Sequence, residues 1–169
     1  AEQAVTEATR CLDCPDPQCV TGCPVGINIP GFIKNIQRKN FAAAAAVLKD
    51  TSALPAVCGR VCPQEKQCES RCIYTKMKKP AVAIGWLERF AADTERLSGR
   101  RDAVAKAPAR GIKVAVAGSG PAGLAFAGDM IKLGYEVTVF EALHEIGGVL
   151  KYGIPEFRLP NAVVDAELD

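Results

Sequence analysis

The sequence predicts an α-helical domain followed by the beginning of an α/β domain. Three observations support this prediction. Eight cysteines lie in two close groups among helical patterns, the composition changes near residue 98, and a run rich in Val and Ile then leads into a glycine-rich loop. The chain of 169 residues, 49% of them hydrophobic, has room for one ordinary domain or two small ones with a hydrophobic core.

We place the helical domain at residues 1–97, a basic linker rich in Ala and Pro at 98–110, and the start of the α/β domain at 111–169. EQAVTEA predicts a short helix, a second helix begins near Pro30, and Asn40 can cap the helix FAAAAAVLKD. A further helix is predicted from Ala81 to Leu97, with Glu88 and the other charged residues mostly away from its apolar side. That apolar side should consist of Val82, Trp86 or Ile84, Phe90 and Leu97.

The chain contains no run of roughly 20 apolar residues, as a membrane helix needs, and its N-terminus lacks the pattern of a signal peptide. We therefore expect a cytoplasmic protein without a membrane segment. In a reducing cytosol, eight cysteines favour metal or cluster ligation over disulfides. Basic residues lie near the cysteines without interleaved aromatic residues, so we interpret them as compensating cluster charge and expect no nucleic-acid binding.

The cysteines form two groups, Cys11, Cys14, Cys19 and Cys23, then Cys58, Cys62, Cys68 and Cys72. Only one CxxC pair occurs, and the sole histidine, His144, is distant in sequence, which disfavours zinc. Closely spaced cysteines can hold three corners of a cubane cluster while the last ligand comes from elsewhere in the chain. The spacing therefore predicts two [4Fe–4S] clusters, with two zinc sites, disulfides or free structural thiols as the alternatives.

The stretch GIKVAVAGSGPAGLAFAGDMIKLGYEVTVFEA predicts a strand, a glycine-rich turn, a helix to about Leu133 and a strand ending at Phe140. The turn consists of Gly118, Ser119, Gly120, Pro121, Ala122 and Gly123. Its glycines permit a tight turn, approach of a pyrophosphate, and close packing of helix on strand, in that order. Glu141 is placed to accept hydrogen bonds from an adenosine ribose. These features predict a Rossmann-like dinucleotide site rather than an incidental turn, without distinguishing FAD from NAD.

Three stretches, EATRCLDCPDPQCVTGCPVGINIPGFI, LPAVCGRVCPQEKQCESRC and VAIGWLERF, resemble the N-terminal iron–sulfur domain of the small subunit of NADPH-dependent glutamate synthase. The chain is similar also to the large subunit of the flavin-bifurcating NADH-dependent ferredoxin:NADP oxidoreductase. A more distant likeness is to the N-terminal part of dihydropyrimidine dehydrogenase. The resemblance covers essentially the whole chain.

The resemblance implies that one cluster is bound by Cys11, Cys14, Cys19 and Cys72, and the other by Cys23, Cys62, Cys68 and Glu88. Cys58 would then be a small apolar thiol that binds no iron. From the residues alone, Glu88 is an ordinary solvated carboxylate on a helix. Its assignment as a ligand therefore depends on the likeness of GWLERF to the family.

GSGPAGL together with HEIGGVLKYGIPEFRLP resembles the FAD site of the same family. The resemblance implies that Gly147, Gly148 and Val149 lie near the cofactor and that Arg158 is a polar contact, the alternatives being an ordinary turn and a surface charge. The residues after Glu141 are too few to complete a doubly wound sheet, whereas family members continue with the rest of the FAD domain and an NADPH domain. We therefore expect exposed apolar faces that further polypeptide covers.

Together these features predict the electron-transfer part of an NAD(P)H-linked FAD and iron–sulfur oxidoreductase, inactive on its own and without catalytic side chains. FAD would exchange electrons with NAD(P)H bound outside this chain, and the two clusters would carry single electrons to or from a partner. The partner would be a larger redox subunit, as in glutamate synthase, or a second flavoprotein, as in a bifurcating enzyme. A dihydropyrimidine dehydrogenase subunit and a non-catalytic iron–sulfur interaction module are the alternatives.

Overall fold

The computed structural model describes residues 1–99 and 104–168 of the chain. The chain divides into two compact units, Ala1–Asp102 and Ala103–Asp169. This division falls inside the linker placed at residues 98–110 from the sequence, of which residues 100–103 lie outside the described residues.

The first unit is helical and short connections join its elements. In chain order the elements are α1 (Glu2–Ala8), α2 (Gln18–Thr21), α3 (Ile29–Gln37), α4 (Phe41–Thr51), α5 (Pro55–Val61), the 3₁₀ turns η1 (Gln64–Lys66) and η2 (Glu69–Arg71), α6 (Ile73–Lys76) and α7 (Ile84–Ser98). The side chains of Asn28 and Asn40 cap α3 and α4, accepting hydrogen bonds from the backbone N–H groups of Gly31 at 3.0 Å and Ala43 at 3.3 Å. The predicted helices α1, α3 and α4 are therefore present near their expected bounds.

The core of the first unit lies between α3, α4 and α7. Its fully buried large side chains are Ile29, Phe32, Ile33, Ile36, Leu48 and Leu87. Phe41 of α4 and Phe90 of α7 meet edge to face, with ring centroids 5.1 Å apart. This core fixes the helices that flank both cysteine groups.

The face of α7 that is buried differs from the one predicted. The helix begins at Ile84 rather than Ala81, Trp86 and Leu97 are 69% and 74% exposed, and Glu88 is only 5% exposed. The reason is the close approach of α5, since a Cβ atom on Gly59 would lie only 2.6 Å from the backbone nitrogen of Arg89. The small residues of α7 therefore face its neighbours, and Glu88 is buried with them.

The second unit begins with the predicted βαβ arrangement. Its elements are β1 (Lys113–Ala117), α8 (Pro121–Lys132), β2 (Glu136–Phe140), α9 (Val149–Tyr152) and α10 (Asn161–Leu168). The two strands pair in parallel, in register from Lys113 opposite Glu136 to Ala117 opposite Phe140. This is the start of a Rossmann-like fold, joined to a helical first unit.

Many side chains of the second unit are more exposed than is usual around a buried parallel sheet. Val116 is the buried residue of β1, and apolar side chains such as Phe126, Phe140 and Phe157 are about half exposed or more. Parallel sheets normally have both faces covered by helices, so these faces are suited to further polypeptide.

Within the described parts of the chain, no single helix has both the length and the apolarity to cross a membrane. The helices α4 and α5 meet those criteria only when taken together, and they are bent by 87° relative to each other.

Candidate functional site

The first cysteine group lies on the connection between α1 and α3. Cys11 follows α1, and its N–H donates to the carbonyl of Ala8 at 3.0 Å. Cys19 lies inside α2. After α2, a Cβ atom on Gly22 would lie 2.8 Å from Cγ of Arg71 and 2.9 Å from the backbone oxygen of Gln67. Glycine at this position therefore lets the two cysteine-bearing segments touch.

Cysteines of both groups line one cavity of about 450 Å³. Its thiols belong to Cys11, Cys14, Cys19 and Cys72. Apolar side chains form much of the remaining wall, including those of Ile29, Ile33, Ile73, Val82 and Ile84. The fourth thiol reaches the cavity because Cys72 lies between η2 and α6, in the segment that packs on Gly22.

The electrostatic environment of this cavity disfavours free thiolates. Burial first, and then the charges of Cys11 and Cys72, raise the pKa of Cys19 to about 11. Burial also raises the pKa of Cys11, with smaller contributions from Cys14 and Cys72. Thiolates gathered here would repel one another in an apolar surrounding, and a bound cationic centre would offset that repulsion.

A second set of donors forms around the end of α5. Cys62 caps α5, Cys68 precedes η2, and Glu88 approaches from α7. Burial and the negative charges of Glu69, Glu88 and Cys23 raise the pKa of Cys68 to about 12. The pKa of Cys62 is instead lowered by a hydrogen bond with Cys58, and burial and the charges of Glu88, Cys23 and Cys68 oppose this lowering. Cys23, Cys62, Cys68 and Glu88 are thus close enough to influence one another electrostatically.

Cys58 lies beside this second set, on the preceding turn of α5. Its Sγ accepts a hydrogen bond from Oγ of Ser52 at 3.9 Å. A hydrogen bond with Cys58 lowers the pKa of Cys62. Cys58 is therefore a neighbour of a donor thiol, half-buried within α5.

In the described residues, no three His, Cys, Asp or Glu side chains converge closely enough to hold a single metal ion. A zinc ion holds four ligands at about 2.0–2.3 Å, which draws their donor atoms close together. The thiols of Cys11, Cys14, Cys19 and Cys72 instead surround a cavity. This arrangement suits a larger group such as a cubane cluster. Two of the nearby basic residues, Arg71 and Lys76, also line that cavity.

The glycine-rich loop of the second unit joins β1 to α8. Gly118 has φ +93°, a conformation that favours glycine, and a Cβ atom on Gly123 would lie 2.1 Å from the carbonyl oxygen of Gly118. Gly120 caps α8, and a Cβ atom there would meet nothing within 4 Å among the described residues. The first turn of α8 also leaves the N–H groups of Ala122 and Gly123 without helical partners. These open donors at a helix N-terminus can receive a phosphate.

Glu141 follows β2 and faces this loop. Its Oε2 accepts hydrogen bonds from the backbone N–H of Ser119, at 2.9 Å, and from the Ser119 hydroxyl, while Oε1 accepts from the N–H of Leu143 at 2.9 Å. These bonds, that from the Ser119 hydroxyl first, lower the pKa of Glu141 to about 2. The carboxylate is therefore ionised at any physiological pH.

The turn at Gly147 and Gly148 packs against the same loop. The N–H of Gly147 donates to Oγ of Ser119 at 3.1 Å, and a Cβ atom on Gly148 would lie 2.9 Å from Cα of Gly120. Val149 begins α9 and is exposed. Arg158 is an exposed residue between α9 and α10, and no described hydrogen bond or ion pair joins its side chain to the loop. The buried hydroxyl of Ser119 was not singled out from the sequence, where only its place in the glycine motif was apparent.

Comparison with known proteins gives matches along most of the chain. Residues 1–100 match the family model described as dihydropyrimidine dehydrogenase domain II, 4Fe-4S cluster, and residues 116–165 match an NAD(P)-binding Rossmann-like domain. The NAD-dependent dihydropyrimidine dehydrogenase subunit PreT of Escherichia coli is 42% identical over 165 residues, covering 98% of this chain and 40% of that protein.

Two further relatives are similar to the same extent. The glutamate synthase [NADPH] small chain of Halomonas elongata is 40% identical over 97% of this chain and 34% of its own length. The putative oxidoreductase UacF of Escherichia coli is 43% identical over 96% of this chain and 26% of its own length. The chain thus spans 40% or less of these curated relatives, which are oxidoreductases by name. It belongs to the family of dihydropyrimidine dehydrogenase domain II with its 4Fe-4S cluster, here followed by the start of an NAD(P)-binding Rossmann-like domain.

Proposed function

We propose that this chain is the electron-transfer part of an NAD(P)H-linked oxidoreductase that holds two [4Fe–4S] clusters and FAD. The observation that carries the proposal is the sorting of donors into two sets, each drawn from both cysteine segments. One set is Cys11, Cys14, Cys19 and Cys72, and the other is Cys23, Cys62, Cys68 and Glu88.

The donor chemistry fits iron–sulfur clusters. Thiolates are the usual ligands of [4Fe–4S] clusters, and each set supplies four donor side chains. Glu88 would add a hard oxygen donor to three thiolates, and its burial beside Cys62 and Cys68 supports that role. When bound, such clusters pass single electrons. The chain's own residues hold Cys11, Cys14, Cys19 and Cys72 around a largely apolar cavity.

The glycine-rich loop is proposed to hold the adenosine and pyrophosphate part of FAD. Gly120 is open to a pyrophosphate, and the Glu141 carboxylate is close to the loop. This geometry is shared with NAD(P) sites, and the likeness of HEIGGVLKYGIPEFRLP to the family's FAD segment favours FAD. Gly147, Gly148 and Val149 would lie beside the cofactor, and Arg158 would be a further contact. NAD(P)H would bind outside this chain.

The partner and the final substrate belong to the whole protein. Similarity to glutamate synthase small chains supports a larger redox subunit as the partner, and similarity to PreT supports a dihydropyrimidine dehydrogenase subunit. A second flavoprotein is the partner expected if the protein is a bifurcating enzyme. The two groups of relatives are about equally identical to this chain, so both substrate classes are candidates.

The proposal is tested on the anaerobically purified chain by measuring iron, sulfide and zinc and by identifying any released dinucleotide. About eight iron atoms and FAD are expected. Cys19→Ser and Cys62→Ser should each lose about half of the iron, and Cys58→Ala should lose none. Light-driven reduction of the flavin, with EDTA as the electron donor, should then produce the paramagnetic signals of reduced clusters.

Other results would select the alternatives. Zinc in place of iron would refute the clusters, and bound NAD(P) in place of FAD would reassign the glycine loop. Clusters that are present without any dinucleotide would indicate the non-catalytic interaction module.

A further inference from the structure

Ser119 is the second residue of the glycine-rich loop, and its side chain cannot reach a bound nucleotide. It is 0% exposed, and its polar groups already have protein partners. The backbone N–H and the hydroxyl both donate to Oε2 of Glu141, and Oγ accepts from the N–H of Gly147. The polar groups of Ser119, a residue of the glycine-rich loop, therefore bind other residues of the protein.

We infer that Ser119 is a positioning residue that orients the Glu141 carboxylate for recognition of the adenosine ribose of the bound dinucleotide. This inference rests on the proposed binding of a dinucleotide at the loop. It differs from the usual role of this motif, in which the loop recognises phosphate, because Ser119 would act on the sugar through a second residue.

The number of hydrogen bonds on the carboxylate supports this role. Ser119 donates two hydrogen bonds to Oε2, and the N–H of Leu143 donates one to Oε1. Because these bonds fix the carboxylate, little conformational entropy is lost when a ribose hydroxyl donates to it.

The contact with Gly147 extends the role of Ser119 to a third segment. A hydroxyl can donate one hydrogen bond and accept others, so Ser119 can bind Glu141 and Gly147 at the same time. Gly148 then packs against Gly120, with its hypothetical Cβ atom only 2.9 Å from Cα of that residue. The Ser119 hydroxyl thus links the glycine-rich loop to Glu141 after β2 and to the turn at Gly147 before α9.

The test compares two ligands on the full chain by isothermal titration calorimetry. The ligands are ADP and dideoxy-ADP, an analogue whose ribose lacks both hydroxyls. Wild type should prefer ADP. Ser119→Ala should weaken ADP binding about tenfold, as expected for losing a hydrogen bond to a charged group, and leave dideoxy-ADP binding unchanged. Ser70→Ala is the matched control, because its hydroxyl donates to the carbonyl of Gln67 in the first unit.

Glu141→Gln provides a second variant that keeps the Ser119 hydroxyl. It should lose the same preference for ADP, and the double variant should be no worse than either single one. If Ser119→Ala weakens both ligands equally, Ser119 is only structural and the inference is wrong. If it weakens neither, the inference is also wrong although dinucleotide binding stands. A wild-type chain that binds neither ligand would refute the proposed dinucleotide site and the inference with it.

Discussion

Nη2 of Arg60 donates to both carboxylate oxygens of Asp93, at 2.7 Å each. The Arg60 side chain is only 4% exposed, and its Nη1 also donates to the carbonyl of Ala56 at 3.0 Å. This ion pair joins α5 to α7. Because Arg60 lies between Cys58 and Cys62, and Asp93 lies on the helix of Glu88, the pair fixes the two helices that position Cys62 and Glu88 of the second donor set.

The first prediction concerns this ion pair. Asp93→Ala should lower the free energy of unfolding of the first unit by about 3 kcal/mol, because it leaves a buried guanidinium without its carboxylate. Urea denaturation of the anaerobic chain, followed by circular dichroism, measures the change. Replacing both residues, as in Arg60→Met with Asp93→Leu, should recover much of the loss.

The control is Asp129→Ala in the second unit. Asp129 pairs with Lys132 at 3.7 Å and is largely exposed, so its loss should cost at most about 0.5 kcal/mol. Equal effects of the two aspartate variants would show that the pair of Arg60 and Asp93 has no special importance for stability.

The second prediction concerns Glu88 as a ligand. Glu88→Ala should alter the electron paramagnetic resonance signal of one reduced cluster and spare the other, because Glu88 lies with the second donor set alone. The iron content should fall by at most about half.

Cys58→Ala is the control for this variant, since Cys58 lies in the same region of α5 and α7 and is not proposed to bind iron. It should leave the iron content unchanged. If Glu88→Ala gives the wild-type spectra of both reduced clusters, Glu88 is not a ligand.

The elements that sequence predicted well are those with local signals. Asn40 and the alanine run define α4, and alternating Val residues with a glycine turn define β1 and the start of α8. The shortest helices, such as α2 and α6, were missed because four residues carry too little periodicity. Their positions depend on the cysteine segments around them.

Contacts between residues far apart in the chain could not be predicted from local sequence patterns. Burial of Glu88 follows from the approach of α5 at Gly59, which no periodicity within α7 reveals. The meeting of Cys72 with Cys11 was expected only from the family resemblance, because spacing does not identify the partner loop of each thiol. The bond from Gly147 to Ser119 joins residues far apart in the chain and likewise depends on the tertiary fold.

The third prediction is that two glycines of the glycine-rich loop have different roles. Gly123→Ala should destabilise the second unit by about 3 kcal/mol, because its Cβ atom would lie 2.1 Å from a backbone oxygen. Gly120→Ala should change stability by less than about 1 kcal/mol, because Gly120 has φ −67° and open space around it, yet weaken dinucleotide binding about tenfold or more. Denaturation and calorimetry measure the two effects. Normal binding by Gly120→Ala would place the pyrophosphate elsewhere.

The last prediction concerns pH and Glu141. Its pKa is lowered from 4.5 to about 2 by the Ser119 hydroxyl first and by backbone N–H donors. Because the folded chain lowers this pKa, the group contributes its full stabilisation above the ordinary value and loses it as the pH falls from 4.5 towards 2. Carbon-detected NMR titration should therefore show the Glu141 carboxylate still ionised at about pH 3, and Ser119→Ala should shift its pKa back towards the ordinary value. The stability difference between wild type and Glu141→Gln should shrink as the pH is lowered through the same range. A wild-type carboxyl that titrates near 4.5 would show that the bonds from Ser119 are not formed in solution.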